Sequence, residues 1–222
     1  MKIILTLISS FIFMTQALSY EPFINFAFGS INSDDLDAEI TGIGTAKIPG
    51  IFHLRQGESF EIELGIRDDS GLSVGLQSAY KKMVIEGVSL SGDPIESALA
   101  ELNSWNAGDD FRIDGNFFTM PILAFVGKEI PLDNNLSLDL GLAAGYTTAV
   151  IRPERSLALF FEEADTHVWE IQGKIGLDYK FSEQITMGLD YRYSWHTGPD
   201  FEEANCQDIG LHFFGASVEF SF

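Results

Sequence analysis

The chain has a single cysteine, few basic residues and no apolar run of transmembrane-helix length, and each shortage excludes a class of protein. One cysteine, Cys206, cannot form an internal disulfide, so the fold must be stable without one. The chain has 13 Lys and Arg residues against 33 Asp and Glu residues, a net charge of −20. This charge argues against a nucleic-acid partner, because nucleic-acid binding needs a basic surface. No apolar run reaches the length of about 20 residues that a membrane-spanning helix requires.

The first 19 residues have the three parts of a secretory signal peptide. Lys2 supplies the positive start, residues 3–14 the apolar segment, and Ala17-Leu18-Ser19 a small-residue cleavage site. We therefore expect residues 1–19 to be a signal peptide and residues 20–222 to form one exported domain.

Nineteen phenylalanines must face something apolar, and the sequence places many of them at every second position. In "FGASVEFSF", residues 214–222, every even position is apolar and every odd position is small or polar. A period of two is typical of a strand with one apolar and one polar face. The same pattern predicts eight strands, within 22–31, 58–67, 72–81, 117–127, 136–150, 169–181, 185–195 and 214–222.

The connections between these strands alternate strictly between long and short. Short ones lie at 68–71, 131–135 and 182–184, and long ones at 32–56, 85–114, 151–166 and 197–206. In an up-and-down meander, all short turns then lie at one end and all long loops at the other. This predicts an all-β, eight-stranded antiparallel transmembrane barrel in a Gram-negative outer membrane, with short periplasmic turns and long extracellular loops.

A soluble barrel that encloses a ligand has the same period with its apolar residues inside. Export, the loop asymmetry and aromatic residues near strand ends favour the lipid-facing version, whose narrow lumen holds the polar residues. Charges of both signs then share the lumen and can pair, which favours a salt-bridged plug over a pore-lining selectivity set. The predicted lumen residues are Glu61, Glu63, Arg67, Lys81, Asp139, Glu170, Lys174, Asp178, Asp190, Arg192 and Glu219.

Two segments have an ambiguous phase. Residues 117–127 are apolar throughout and contain Pro121, so their inward face is not defined by sequence. Within 207–213, Ile209, Leu211 and Phe213 run in the opposite phase to the end of the chain, which a β-bulge would explain.

The stretch "ADTHVWEIQGKIGLDYKFSEQITMGLDYRY", residues 164–193, resembles the small eight-stranded outer-membrane barrels of the opacity and surface-antigen type. These porin-like proteins are related in architecture to the transmembrane domain of outer-membrane protein A. Residues 117–146, with "LGLAAGY", match more loosely. The resemblance implies that the alternating last strand, with Val218, Phe220 and Phe222, is an insertion signal that the barrel-assembly machinery reads.

The chain also resembles the lipid A deacylases in size and in a histidine near the top of the penultimate strand. "SWHTGPDFEE" offers Ser194 and His196 with Glu202 or Glu203, the residue types of a nucleophile, a base and an orienting acid. The order departs from the deacylase pattern, because Gly198 stands where the serine belongs. His53, His167 and His212 lack neighbours at metal-ligand spacing, and we interpret them as interface or loop histidines. We expect no catalytic residue, cofactor or metal.

The long loops are the places where a specific function is expected. In the second loop, Asp93 as N-cap, Pro94 and Glu96 predict a short amphipathic helix, and "RSLALFF", residues 155–161, is an apolar patch. We expect a non-enzymatic surface or adhesive role, with a small pore as the alternative and a lipid A-modifying enzyme below it. The expected partners are outer-membrane lipid and lipopolysaccharide, the assembly machinery, and a surface receptor or divalent cations at the acidic loops.

Overall fold

The computed structural model describes residues 20–40, 48–90, 115–153, 164–201 and 204–222. The expected signal peptide, the expected helix of the second loop and the patch at 155–161 lie outside these residues. Within them, no helix has the length and apolar character needed to cross a membrane.

Eleven strands occur in the described residues, and eight of them form a closed antiparallel barrel. The barrel strands are β1 (Glu21–Ser33), β3 (Ile48–Arg67), β4 (Leu72–Leu90), β5 (Gly115–Pro131), β6 (Leu136–Pro153), β7 (Ala164–Lys180), β8 (Ile185–His196) and β11 (Ile209–Ser221). Three short strands complete the set: β2 (Leu36–Ile40), β9 (Asp200–Phe201) and β10 (Ala204–Cys206). β1 pairs with β3 on one side and with β11 on the other, which closes the sheet. The predicted eight-stranded architecture is confirmed.

The three short turns lie at the same end of the barrel as the start of β1 and the end of β11. At the first turn the Asp68 carboxylate accepts hydrogen bonds from the backbone N–H groups of Ser70 and Leu72, at 2.8 and 3.0 Å. Gly71 follows with a φ of 83°, a left-handed conformation that favours glycine. Local hydrogen bonding and one glycine therefore reverse the chain within four residues.

The apolar stripe of each strand faces outward and the charged stripe faces inward. Ile122 and Leu142 on the outer wall are 68% and 64% exposed, whereas Arg192 and Glu61 in the lumen are fully buried. This arrangement is the inverse of a soluble ligand carrier, and it requires a lipid environment because a wall this apolar is not stable in water.

The structure resolves both ambiguous segments. In β5 the odd residues face inward, including Phe117, Leu123 and Pro121, and the outward even residues include Ile122. β11 pairs with β8 and β1 without a register shift, so the bulge proposed for 207–213 is absent there. Its odd residues face inward from Ile209 to Ser221, and the apparent change of phase arises because the lumen is apolar at the extracellular end and polar below.

Several strands extend further than the sequence predicted. β3 begins at Ile48 and β4 reaches Leu90, so parts of the predicted long loops are barrel wall. β2, β10 and β9 continue the sheet from the edge of β3, outside the closed ring of eight strands. The strand register shifts twice in β3, between His53 and Leu54 and between Arg55 and Glu58. These irregularities hid the period of two from sequence reasoning.

Candidate functional site

The centre of the lumen is organised around the Arg192 guanidinium of β8. Its Nη1 donates to Glu61 Oε2 at 2.7 Å and to Glu63 Oε1 at 2.6 Å, while Nη2 donates to Asp190 Oδ2 at 2.8 Å. Glu61 and Glu63 lie on β3, which is not a neighbour of β8 in the sheet. Arg192 therefore connects opposite walls. Three carboxylates, rather than one, compensate its buried charge.

A second connection crosses the lumen nearer the extracellular end. Lys81 Nζ of β4 donates to Glu170 Oε1 of β7 at 2.7 Å and to Ser194 Oγ at 3.1 Å. The Thr147 hydroxyl donates to the other oxygen of Glu170 at 2.5 Å. All four side chains are buried. The ion pair between Lys81 and Glu170 therefore compensates the hydration that each charge loses on burial.

Two glutamines join these layers. Gln77 Nε2 donates to Glu61 Oε2 at 2.9 Å and to Gln172 Oε1 at 2.8 Å. Gln172 Nε2 then donates to Ser194 Oγ at 3.0 Å. The central and upper ion pairs consequently belong to one hydrogen-bonded network.

The periplasmic third of the lumen is also charged but less tightly filled. Lys174 Nζ lies 2.7 Å from Asp139 and 3.3 Å from Glu63, and Arg67 makes two 2.7 Å bonds to Glu219. A cavity of about 20 Å³ lies between these groups. This volume is comparable to one water molecule and far below that of a ligand pocket.

An apolar layer covers the charged network at the extracellular end. Ile31, Met83, Phe117 and Leu211 are each at most 1% exposed and converge from four different barrel strands. The residues of β2, β9 and β10 that face inward extend the same cluster: Leu36, Ala38, Phe201, Ala204 and Cys206. In the described residues the lumen is thus closed above by hydrocarbon side chains and below them by ion pairs.

All eleven residues predicted for the lumen face inward, and ten of them form ion pairs. Asp178 is the eleventh, and it lies beside Gly188, whose added Cβ would be 2.1 Å from the carboxylate. Sequence reasoning missed Gln77, Gln172, Thr147 and Ser194 as network members, and Glu129, which lies 3.3 Å from Arg67. The signal is present in the sequence, because these polar residues share the inward phase of their strands, but the prediction names only charged side chains.

Ser194 and His196 do not form the pair that the deacylase resemblance implies. Ser194 Oγ bonds to Lys81 and Gln172, and neither ring nitrogen of His196 has a hydrogen-bond partner. His196 Nε2 lies 3.7 Å from Glu170, and both residues are sealed beneath the apolar layer. Glu202 and Glu203 lie outside the described residues.

The remaining histidines lie on the outer wall. His167 Nδ1 is 3.1 Å from the Thr148 hydroxyl, and His212 Nδ1 is 2.8 Å from the Tyr191 hydroxyl. His53 is bonded on both sides, to Asp35 and to Ser89. The part of the chain that the structure describes contains no group of three or more His, Cys, Asp or Glu side chains suited to a metal ion.

The fold is similar to that of solved outer-membrane barrels. OprG from Pseudomonas aeruginosa is 15% identical, with a TM-score of 0.56, and the alignment covers 91% of this chain and 96% of OprG. The Neisserial surface protein NspA is 13% identical, with a TM-score of 0.50, over 92% of this chain and 97% of NspA. The protease OmpT from Escherichia coli is 8% identical, with a TM-score of 0.53, over 94% and 100%.

No family model matches the chain, and no curated protein matches it either. The structural likeness at this identity concerns the fold, which carries both a protease and proteins of other kinds. The closed barrel, its apolar wall and the likeness together identify the fold of a small Gram-negative outer-membrane barrel.

Proposed function

We propose that this outer-membrane barrel is a non-conducting anchor that presents its extracellular end for a structural or surface-interaction role. The observation that carries the proposal is the double closure of the lumen, by the Arg192 and Lys81 networks and by the apolar layer above them. A solute pore needs a continuous water path past these residues. Their burial favours an anchor over the alternative of a small porin.

Planar-bilayer recordings test this proposal. The purified chain, folded in detergent and checked by the heat-dependent gel shift of folded barrels, is expected to give no stable unitary steps. A variant with Arg192→Ala and Phe117→Ala removes one residue from each closure and serves as the comparison. Stable steps from the unaltered chain, equal to those of the double variant, would favour the pore.

The presented end is acidic in its described part. On β2, Asp37 and Glu39 point outward while Leu36 and Ala38 face the apolar cluster, and Asp34 and Asp35 precede them. Such a surface stays hydrated, repels anionic surfaces and suits a basic partner. We therefore favour a basic protein surface as the extracellular partner, to be tested by cross-linking on whole cells with and without Asp37→Asn and Glu39→Gln.

Lipopolysaccharide is the lipid partner that the outer wall fits. Lys82 Nζ and the Arg152 guanidinium lie 6.0 and 5.4 Å from the centre of the Phe118 ring. Phe118 is on β5, and the two cations are on the strands at either side of it, β4 and β6. Tyr80 packs against that ring as well, at 5.8 Å between ring centres. Two cations beside aromatic rings at the upper rim suit lipid phosphates.

The lipid partner is tested by counting retained lipopolysaccharide molecules with native mass spectrometry. Lys82→Gln with Arg152→Gln is expected to weaken retention about tenfold or more, since each charge near a lipid surface contributes about 1 kcal/mol. Lys128→Gln with Lys180→Gln, at the periplasmic end, is the matched control. If both variant pairs retain the same amount of lipopolysaccharide, the assignment is contradicted. It is also contradicted if the unaltered chain retains lipopolysaccharide stripped of its phosphates equally well.

A further inference from the structure

Asp35, His53 and Ser89 form a hydrogen-bonded chain on the outer wall of the extracellular end. Asp35 Oδ2 is 2.9 Å from His53 Nδ1, and His53 Nε2 is 2.6 Å from Ser89 Oγ. The imidazole thus lies between a carboxylate on one nitrogen and a hydroxyl on the other. We propose that this chain is a hydrolytic triad, in which His53 activates Ser89 toward a carboxylic ester and Asp35 orients the ring.

The irregular pairing of β2, β3 and β4 brings these three residues together. Asp35 immediately precedes β2, which folds back against β3, so that Ile51 is paired with both Asp37 and Ser89. The register of β3 shifts directly after His53, where Gly87 lies opposite and offers no side chain to obstruct the ring. Bulges of this kind redirect side chains and are common beside active sites.

The histidine and the carboxylate of the triad are exposed and Ser89 is half-buried, whereas Ser194 and His196 are buried. The His53 side chain is 36% exposed and that of Asp35 is 50% exposed. His167 and His212 also bond to a hydroxyl on the outer wall, but within the described part of the chain only His53 has a carboxylate on its second nitrogen. That second contact selects one tautomer, with a proton on Nδ1 and a free electron pair on Nε2.

The reaction needs only the ester and water. Ser89 Oγ bonds to the carbonyl carbon as its proton passes to His53 Nε2, and the Asp35 carboxylate stabilises the resulting imidazolium. The C–O bond to the alcohol breaks, and the alkoxide leaves with the proton from Nε2. Water then attacks the acyl-serine with His53 again as base, which releases the carboxylic acid and restores the hydroxyl. Ser89 and His53 are catalytic residues, and Asp35 is a positioning residue.

The site does not depend on the anchor role, because it lies outside the lumen and leaves both closures intact. The proposal goes beyond the expectation that no residue of this chain is catalytic. The site would also give the extracellular end a chemistry of its own, directed at esters that reach the outer wall there.

Labelling with a fluorophosphonate tests the triad in the folded, full chain. One adduct is expected, mapped to Ser89 by peptide mass spectrometry, together with hydrolysis of p-nitrophenyl butyrate. Ser89→Ala and His53→Ala should lower the hydrolysis rate about a hundredfold or more, Asp35→Asn about tenfold or more, and Asp35→Glu should recover part of the loss.

Ser33→Ala and His167→Ala are the matched controls. Ser33 lies at the same end with its hydroxyl bonded to the Asp34 carbonyl, and His167 is an exposed histidine beside a hydroxyl. Both variants should label and hydrolyse as the unaltered chain does, and the gel shift shows that each variant has folded. An unlabelled folded chain, or labelling that His53→Ala leaves unchanged, overturns the proposal.

Discussion

Lys81 Nζ and Glu170 Oε1 lie 2.7 Å apart on strands β4 and β7, which are not neighbours in the sheet. The bond therefore spans the lumen. Both side chains are at most 1% exposed, so each depends on the other for compensation of its charge.

Removing one member of this pair should cost more than removing both. Lys81→Met leaves Glu170 buried without its cation, and we expect a loss of about 3–5 kcal/mol in the free energy of unfolding. The double variant Lys81→Met, Glu170→Gln should lose clearly less than the sum of the two single variants. Urea unfolding in lipid vesicles measures all four states of this cycle, and additive losses would show that the two groups do not interact.

Gly57 should not tolerate a side chain. A Cβ at this position would lie 1.8 Å from the Lys82 carbonyl oxygen, in the segment of β3 where the register shifts. Backbone must move to relieve the contact, so Gly57→Ala should destabilise the barrel by about 2 kcal/mol or more.

Gly173→Ala is the control for Gly57→Ala, because no atom lies within 4 Å of its added Cβ. Its unfolding free energy in the same vesicles should change by about 0.5 kcal/mol or less. Similar losses at the two positions would contradict the crowded packing at Gly57.

Cys206 should resist alkylation in the folded chain. Burial, assisted by the negative charge of Asp200, raises the pKa of the Cys206 thiol to about 12. A raised pKa lowers the thiolate fraction, here on the order of a thousandfold at neutral pH relative to an ordinary thiol, and the thiolate is the reactive form. Maleimide labelling at pH 7.5 should be slow before unfolding and fast after it.

Ser33→Cys in a chain with Cys206→Ala provides the comparison for this labelling experiment. Its thiol would lie at a partly exposed position of the same end. We expect this thiol to react with maleimide much faster than Cys206 does in the folded chain. Equal rates at positions 33 and 206 would contradict the burial of β10 against the apolar cluster.

Phe222 should matter more for insertion than for stability. The residue is 55% exposed, while its backbone N–H donates to the Pro22 carbonyl at 3.0 Å, across the seam between the first and last strands. If the assembly machinery reads this residue, Phe222→Ser should lower the amount of folded protein in the outer membrane several-fold. Phe222→Trp keeps an aromatic and is the control.

The same Phe222 variants, refolded into pure lipid vesicles, separate recognition from packing. A loss of insertion in cells with unchanged unfolding in vesicles supports a signal. A matching loss in both settings would show that the ring contributes only to the fold.

The fold followed from sequence because a period of two is a local property that survives in most of the barrel strands, although β5 is apolar on both faces. The inward position of Arg192 and Lys81 followed from the same period. Their partners did not, since Glu61 and Glu170 belong to opposite walls and the shear of the barrel decides which side chains meet. The chain Asp35–His53–Ser89 escaped prediction for a related reason. It depends on β2 folding back and on a register shift, neither of which leaves a periodic trace.

Closure of the sheet between β1 and β11 pairs Phe23 with Ser221, two residues that are far apart in the sequence. A ribosome must therefore have translated all eight barrel strands before β1 can pair with β11. Until then, an inserted fragment would expose unpaired peptide groups to hydrocarbon. Export must accordingly deliver all eight strands, still unfolded, across the periplasm, and a translation product that lacks β11 should be a substrate for proteases rather than a smaller barrel.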